Sequence, residues 1–302
     1  MKFTVYQESR IGKRASNQDR TAYCYSRDAL LMVVADGMGG HLHGEVAAHI
    51  AVQTITEAFR REARPSLSNP LQFLSLAFTH AHRAIIDFAA DRGLPEAPRT
   101  TCVACVTQDK LAYWAHAGDS RLYLIRGERL LVQTRDHSRV QRMLDQGLID
   151  PDDAATHPAR NRVFSCLGGS HQPRIDFSRK MPLKAGDVLA LCSDGVWAPL
   201  GNDLLVHSLA GANPMLSVPR LLEQAEALAG ANSDNLSLIA MQWDRNYAED
   251  SPSNVSTKTM PPDTFTARMG EVGAESVPSD LSEDDIGHAI EQIHKAIQKS
   301  SD

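Results

Sequence analysis

Apolar residues run unbroken over 30–35, stop at Asp36, and give way to Gly37, Gly39 and Gly40 around a single methionine, Met38. A run of this kind bounded by turn residues predicts a core strand. Its glycine-rich end lets backbone approach a neighbour closely, because glycine has no Cβ. Residues 2–7 and 22–25 read as further strands. Residues 44–63 carry Val46, Ala47, Ile50, Ala51, Ile55 and Phe59 at helical spacing, and 70–90 form a second amphipathic helix with Pro70 suited to its first turn. From 100 to 131 the pattern is β, with strands over 102–107, 111–116 and 121–125 separated by Gln108-Asp109-Lys110 and Arg126-Gly127-Glu128. Connections that short make neighbouring strands antiparallel. Helices are expected over 138–147 and 218–229, and strands over 187–192 and 236–243.

This order of elements predicts an α+β arrangement in which helices cover antiparallel sheets. The domain they form spans 1–244. Residues 245–278 are rich in Ser, Thr, Pro and Asp with little apolar periodicity, and are expected to be a flexible linker. Residues 279–302 form a last unit, with a helix over 282–299 that places Ile286, Ile290, Ile293 and Ile297 on one face. Ser282 and Asp285 start it like a capping box, and Lys295 and Lys299 suit its end. A helix this short rarely holds alone, so it is expected either to dock back on its own domain or stay partly disordered, or to serve a partner or self-association.

Composition narrows the picture. With 302 residues, 42% hydrophobic and 23% charged, the chain can bury a real core. The net charge of −6 belongs to the tail, because 245–302 holds five basic and eleven acidic residues and the preceding part is balanced. Nothing there offers the basic field that nucleic-acid binding needs. No apolar stretch is long enough to cross a bilayer and the first residues lack the apolar core of a signal peptide, so the expectation is a cytoplasmic protein. The five cysteines, Cys24, Cys102, Cys105, Cys166 and Cys192, are scattered in apolar surroundings and read as small buried hydrophobes. Cys102 and Cys105 form a CxxC without a second half, and strand alternation points them to opposite faces.

The candidate chemistry lies in five carboxylates at strand ends. Asp19 follows Asn17-Gln18, Asp36 precedes Gly37, Asp119 sits in Gly118-Asp119-Ser120-Arg121, Asp194 precedes Gly195, and Asp234 precedes Asn235. Singly, each is an ordinary turn or cap residue. Carboxylates that converge without basic partners need a cation, and an oxygen-only donor set favours Mg²⁺ or Mn²⁺ over Zn²⁺. Two such ions roughly 3.5–4 Å apart can turn a water into a nucleophile at neutral pH. Arg14, near Asp19 in the chain, offers a fork for a phosphate.

The ordered set Gly12-Lys13-Arg14-Ala15-Ser16-Asn17-Gln18-Asp19, Val34-Ala35-Asp36-Gly37-Met38-Gly39-Gly40-His41 with Gly44-Glu45, Gly118-Asp119-Ser120-Arg121, Asp136-His137-Ser138, Cys192-Ser193-Asp194-Gly195 and Ser233-Asp234-Asn235 resembles the metal-dependent protein phosphatases. These are the type 2C serine/threonine phosphatases, here in their bacterial form. The resemblance runs from about residue 3 to 242. It implies a four-layer αββα sandwich of two face-to-face antiparallel sheets flanked by helices, and a binuclear Mn²⁺ or Mg²⁺ site at one end of the sheets. By motif, Asp36 bridges both ions and the Gly37 carbonyl binds one. Asp194 and Asp234 bind the other, Asp19 supports the site, and Asp119 with Asp194 holds a third, weaker ion. Arg14 grips the substrate phosphate, so Arg14 and Asp36 are the catalytic candidates. The implied reaction is hydrolysis of phosphoserine and phosphothreonine on protein substrates by metal-activated water, in signalling that opposes a bacterial Ser/Thr kinase. No nucleophilic cysteine is required, and none of the five has the Cys-x5-Arg arrangement of thiol-dependent phosphatases.

Two departures stand out. Eukaryotic relatives carry His after the Asp-Gly as a proposed general acid, where this chain has Met38. That leaves the proton donor open between His41 and a bound water. The flap-like segment 138–169 carries Ser165 where bacterial members often have Arg, a change expected to bear on substrate and not on the metal set. Two further readings stay open: a non-catalytic phosphoprotein-binding or scaffolding module that keeps the fold, and a phosphatase dedicated to one regulator, such as an anti-sigma antagonist or a secretion-system component, recruited by the tail.

Overall fold

The strand Ala29–Asp36 is buried on both faces: Leu31, Val33 and Ala35 point into one apolar cluster and Leu30, Met32 and Val34 into another. This two-sided burial explains the unbroken apolar run, since period-2 alternation has no solvent face to mark. Each fully buried Leu or Met contributes on the order of 2 kcal/mol. The computed structural model describes residues 1–38, 43–154, 157–243 and 266–269.

Along the chain run β1 (Phe3–Arg10), β2 (Asp19–Tyr25), β3 (Ala29–Asp36), α1 (Gly44–Glu62), α2 (Pro70–Asp91), β4 (Arg99–Thr100), β5 (Cys102–Gln108), β6 (Leu111–Ala117), β7 (Arg121–Arg126) and β8 (Arg129–Gln133). Then come α3 (Arg139–Asp145), α4 (Pro151–Ala154), β9 (Leu167–Gly168), β10 (Asp176–Phe177), β11 (Met181–Pro182), β12 (Val188–Cys192), α5 (Asp194–Leu209), α6 (Pro214–Ala229), β13 (Leu236–Trp243) and β14 (Thr266–Met269). One sheet has the order β1-β13-β12-β7-β8, and the other β10-β6-β5-β3-β2-β14 with β11 also on β6. The long strands of both sheets pair antiparallel throughout.

The layers follow from three apolar clusters. Phe3 and Val5 of β1, Leu189 and Leu191 of β12 and Ile239 and Met241 of β13 meet Leu30, Met32 and Val34 between the sheets. Outside the second sheet, α1 and α2 bury Ile55, Phe59, Phe78 and Ile85 against Leu31, Val33 and Ala104. Outside the first, α5 and α6 bury Leu205, Leu209, Leu221 and Leu222 against Ala190, Leu238 and Ala240. The expected αββα sandwich is therefore present. Cys102 and Cys105 do point to opposite sides of β5, one into each cluster that flanks it, and all five cysteines are free thiols.

Helix α2 starts where its sequence says it should, with Asn69 Oδ1 accepting from Gln72 N at 3.1 Å and Pro70 at the first turn. Helix α6 begins at Pro214 rather than 218, because Asn213 caps it by accepting from Met215 N. Helix α5 was not foreseen. Asp194-Gly195 reads as a turn, and Pro199 and Gly201, the latter at φ 69°, break the helical pattern that α5 nevertheless follows with a kink. The strand β8 and the short α4 were also missed.

Within 245–278 the described residues are Thr266–Met269, which form β14 on the outer edge of β2, in register from Thr266↔Tyr25 to Met269↔Ala22. At these residues the linker expectation gives way to a strand, since an open edge offers backbone partners to any extended segment whatever its side-chain pattern. The rest of that span and the helix expected over 282–299 lie outside the described residues. Among the described residues no helix is long and apolar enough to cross a membrane.

Candidate metal centre

Asp19 opens β2 and Asp36 closes β3, and the two are in-register partners at the same end of the sheet. The tight turn between β6 and β7 brings Asp119 to that end, the start of α5 brings Asp194, and the loop before β13 brings Asp234. Arg14, Asp36, Gly37, Met38, Asp119, Asp194 and Asp234 all line one pocket of about 380 Å³, together with Gln18, Thr101, Asn161 and Asn235. Asp19 lies behind this lining, 2% exposed. Asp36 feels the charges of Asp19, Asp194, Asp119 and Asp234 together, which makes it the central member. Ser193 Oγ donates to Asp19 Oδ2 at 2.7 Å. Asp19 Oδ1 is buried without a partner.

The electrostatics of this cluster are those of charge without counter-charge. Burial, reinforced by Asp19, Asp194 and other neighbouring carboxylates, pushes Asp36 well above the carboxylate range. Burial and then the charges of Asp194 and Asp136 do the same to Asp119. Burial and Asp234 raise Asp194 to about 7, and burial raises Asp19 to about 6 against the hydrogen bond from Ser193. A divalent cation relieves this repulsion, and the all-oxygen donors, with one carboxylate oxygen already orphaned, fit Mg²⁺ or Mn²⁺.

Arg14 is engaged more closely than its sequence position suggests. Its Nε and Nη2 donate to the two carboxylate oxygens of Asp234 at 2.8 and 2.7 Å, so the expected phosphate grip is paired with an expected metal ligand. The Asp234 hydrogen bond and charge, aided by Asp194 and Asp36, raise the Arg14 pKa. The Arg14 side chain remains 56% exposed at the pocket mouth, where it can reach an incoming anion.

Two glycines are required by crowding. A Cβ on Gly37 would meet the Gly44 carbonyl and stand 2.7 Å from Gln18 O, and one on Gly195 would meet the Asn235 carbonyl. Gly39, Gly40 and His41 lie outside the described residues. Among the described residues no histidine lines the pocket, and Met38 occupies the place after Gly37 with its N–H bonded to Arg99 O at 3.0 Å.

Several supporting residues escaped sequence reasoning. Asn235 Nδ2 donates to Ile11 O at 2.9 Å and Ser16 O at 3.0 Å while its Oδ1 accepts from Gln18 N at 2.8 Å, stapling the loop that carries Arg14 to β13. Its place in Ser233-Asp234-Asn235 was the available signal. Thr100 Oγ1 donates to Asp36 O at 2.8 Å and Thr101 Oγ1 accepts from Asp36 N at 3.2 Å, contacts with no sequence signal at all. Ser165 is buried and donates to Arg174 O at 2.8 Å, so it faces away from the pocket lining.

One other group of donors is close-set. His116, His137 and Asp176 keep a nitrogen or oxygen within 4.8 Å of one another. His137 Nδ1 accepts from Gly118 N at 3.3 Å, which puts the proton of the neutral ring on Nε2, 3.2 Å from Asp176 Oδ2. His116 stacks on the His137 ring and bonds Arg135 O through Nε2 at 2.8 Å, so both rings buttress the Gly118 turn.

Comparison with known proteins agrees with this geometry. The serine/threonine protein phosphatase PstP of Mycobacterium tuberculosis is 30% identical over 272 residues, which cover 89% of this chain and 51% of PstP. The chain thus spans about half the length of that relative. A crystal structure of the PstP catalytic domain in complex with two manganese ions superposes with a TM-score of 0.67 at 30% identity, covering 80% of this chain and 98% of that one. PppA, described as a key regulatory component of the type VI secretion system in Pseudomonas aeruginosa, superposes with a TM-score of 0.67 at 28% identity, covering 80% and 97%. The family described as protein phosphatase 2C matches residues 6–232, most of the sandwich and every carboxylate of the pocket except Asp234. With the two-sheet sandwich and the buried aspartates at its end, that match settles that the chain belongs to the protein phosphatase 2C family.

Proposed function

We propose that this chain is a serine/threonine phosphoprotein phosphatase acting through a binuclear Mn²⁺ or Mg²⁺ centre. The observation that carries this reading is the position of Asp36, in register with Asp19 and sharing one pocket with Asp119, Asp194 and Asp234, beside a buried Asp19 oxygen that has no partner. Two divalent ions bound there supply Lewis acidity and a water activated at neutral pH. The chain's own residues do the rest. Asp36 would be shared by both ions, the Gly37 carbonyl would join one of them, and Asp194 and Asp234 would hold the other. Asp19, oriented by Ser193 Oγ, backs Asp36 from beneath. Asp119 and Asp194 would hold a third, weaker ion. Arg14 presents its fork to the phosphoryl oxygens and neutralises charge that develops on them. Met38 offers no proton, so the leaving alkoxide would take one from His41 or from a bound water.

The natural substrates on this reading are phosphoproteins made by a Ser/Thr kinase, met in the cytoplasm. Purified protein with Mn²⁺ is expected to hydrolyse p-nitrophenyl phosphate and a phosphothreonine peptide. Failure on both, with phosphoprotein binding retained, makes the chain a scaffold instead.

A dedicated regulator remains a second reading, and the likeness to PppA favours it. It expects that removing residues 245–302 spares p-nitrophenyl phosphate hydrolysis but weakens turnover of the physiological phosphoprotein. Equal loss on both substrates would count against it.

A further inference from the structure

The Asp119 carboxylate is held in an unfavourable place. It is 5% exposed, and Asp194 and Asp136 both press their charge upon it. A tight turn with Gly118 at φ 111° would let such a side chain swing out, unless the backbone were pinned. It is pinned from two sides. Gly118 O accepts from His137 N at 2.9 Å. On the other side, Trp197 Nε1 donates to the Asp119 carbonyl at 3.0 Å.

Trp197 has no part in the chemistry outlined above, yet it stands one turn along α5 from Asp194, the first residue of that helix. The same rigid element thus carries one carboxylate and grips the peptide of the other. The indole is itself fixed from its far face. The Arg121 guanidinium carbon lies 3.4 Å from the ring centroid. Arg121 is locked in turn by a two-pronged pair with Asp136, Nε to Oδ1 at 2.9 Å and Nη2 to Oδ2 at 2.8 Å. A guanidinium stacked over an indole is drawn to the negative face of the ring and so favours one ring orientation.

We propose that Trp197 is a positioning residue that sets the spacing between Asp119 and Asp194 and so governs how tightly this pair holds a divalent cation. The proposal rests on the reading that Asp119 and Asp194 share the outer, weaker ion. Trp197 also packs against Val196, Leu200 and the rest of the α5–α6 cluster. Replacement by Phe keeps an aromatic ring beneath Arg121 but deletes the pyrrole ring that carries the N–H.

The test is calorimetric titration of the full metal-stripped chain with Mn²⁺. The wild type is expected to give tight binding followed by a weaker event. In Trp197→Phe the weaker event loses about tenfold in affinity while the tight binding shifts less than about twofold, the scale expected when an outer support of a ligand is removed. An unchanged weak event in the variant overturns the proposal. So does a wild type that binds tightly, turns over substrate and has no weak event, a result that leaves the phosphatase reading standing. Absence of any Mn²⁺ binding and turnover sinks both.

A second readout does not depend on the variant's folding. With Mg²⁺ as the probe, the indole N–H resonance of Trp197 is identified by elimination using Trp114→Phe and Trp243→Phe. It is expected to move over the concentration range of the weak event, and a resonance indifferent to that range overturns the proposal.

Discussion

Arg14 and Asp234, at opposite ends of the domain sequence, meet in a two-pronged ion pair with distances of 2.8 and 2.7 Å. The pair gives Asp234 a direct ion pair, which Asp36, Asp119 and Asp194 do not make among the described residues, and it sets a competition: a cation on Asp234 and the guanidinium contend for the same oxygens. Occupancy of the metal site would therefore free the Arg14 fork for phosphate. The pair is half exposed, so its contribution to stability is small.

Arg14→Ala is expected to lower kcat/KM for p-nitrophenyl phosphate by roughly 10–100-fold, the loss of a charge-assisted hydrogen bond to the phosphoryl group. Mn²⁺ affinity measured by calorimetry should be equal or tighter, because the competitor is gone. Weaker Mn²⁺ binding in this variant would argue against the competition.

Asp36→Asn removes the central charge while keeping the size of the side chain. Burial and neighbouring carboxylates already push Asp36 well above the carboxylate range, so its charge is a cost to the metal-free fold and not a support of it. Its melting temperature should change little, whereas kcat should fall by more than about 10²-fold. The stabilisation by Mn²⁺ seen in a thermal melt should largely vanish. Full activity in this variant would disprove the role given to Asp36.

The pH dependence of stability should differ between metal-free and metal-loaded protein. Asp19 is raised to about 6 and Asp194 to about 7, above the ordinary value near 3.9 of an unfolded chain. The folded state therefore binds more protons than the unfolded one between those limits, and its stability falls as pH rises through about 4 to 7. With EDTA, the melting temperature should drop by roughly 4–8 °C from about pH 5 to about pH 7.5, corresponding to on the order of 2 kcal/mol. Saturating Mn²⁺ should flatten the drop. A metal-free melting temperature that rises over this window would contradict the uncompensated cluster.

Asn235 is expected to matter for both stability and rate. Asn235→Ala deletes hydrogen bonds to Ile11 O, Ser16 O and Gln18 N, leaving two carbonyls and one N–H to find other partners. The expected cost is about 2–3 kcal/mol, read as a fall in melting temperature of roughly 4–10 °C. Turnover should fall with it, since the loop carrying Arg14 loses its anchor. A variant with wild-type melting temperature and rate would show that the staple is dispensable.

Local pattern was enough for the core. The two-sided apolar run of β3, the helical spacing of α1 and the Asn69-Pro70 start of α2 are short-range signals, and burial confirms each of them. Helix α5 shows the limit, because Pro199 and Gly201 are local breakers and packing of Leu205, Val206 and Leu209 against the sheet outweighs them. β14 is a second case, where an open edge and not a side-chain pattern selects the strand.

That these five carboxylates were candidates for one site was likewise legible, since each sits beside the end of a strand in a motif of its own. Their relations were not. That Asp36 stands between Asp19 and Asp194, that Arg14 is held by Asp234, and that Trp197 grips the Asp119 peptide all join residues remote in sequence. Residue type and spacing determine which atoms can carry charge or accept a proton. Which of them share one buried volume, and so repel or neutralise each other, depends on how two sheets and the start of α5 converge, because Coulombic coupling follows distance through space and not along the chain.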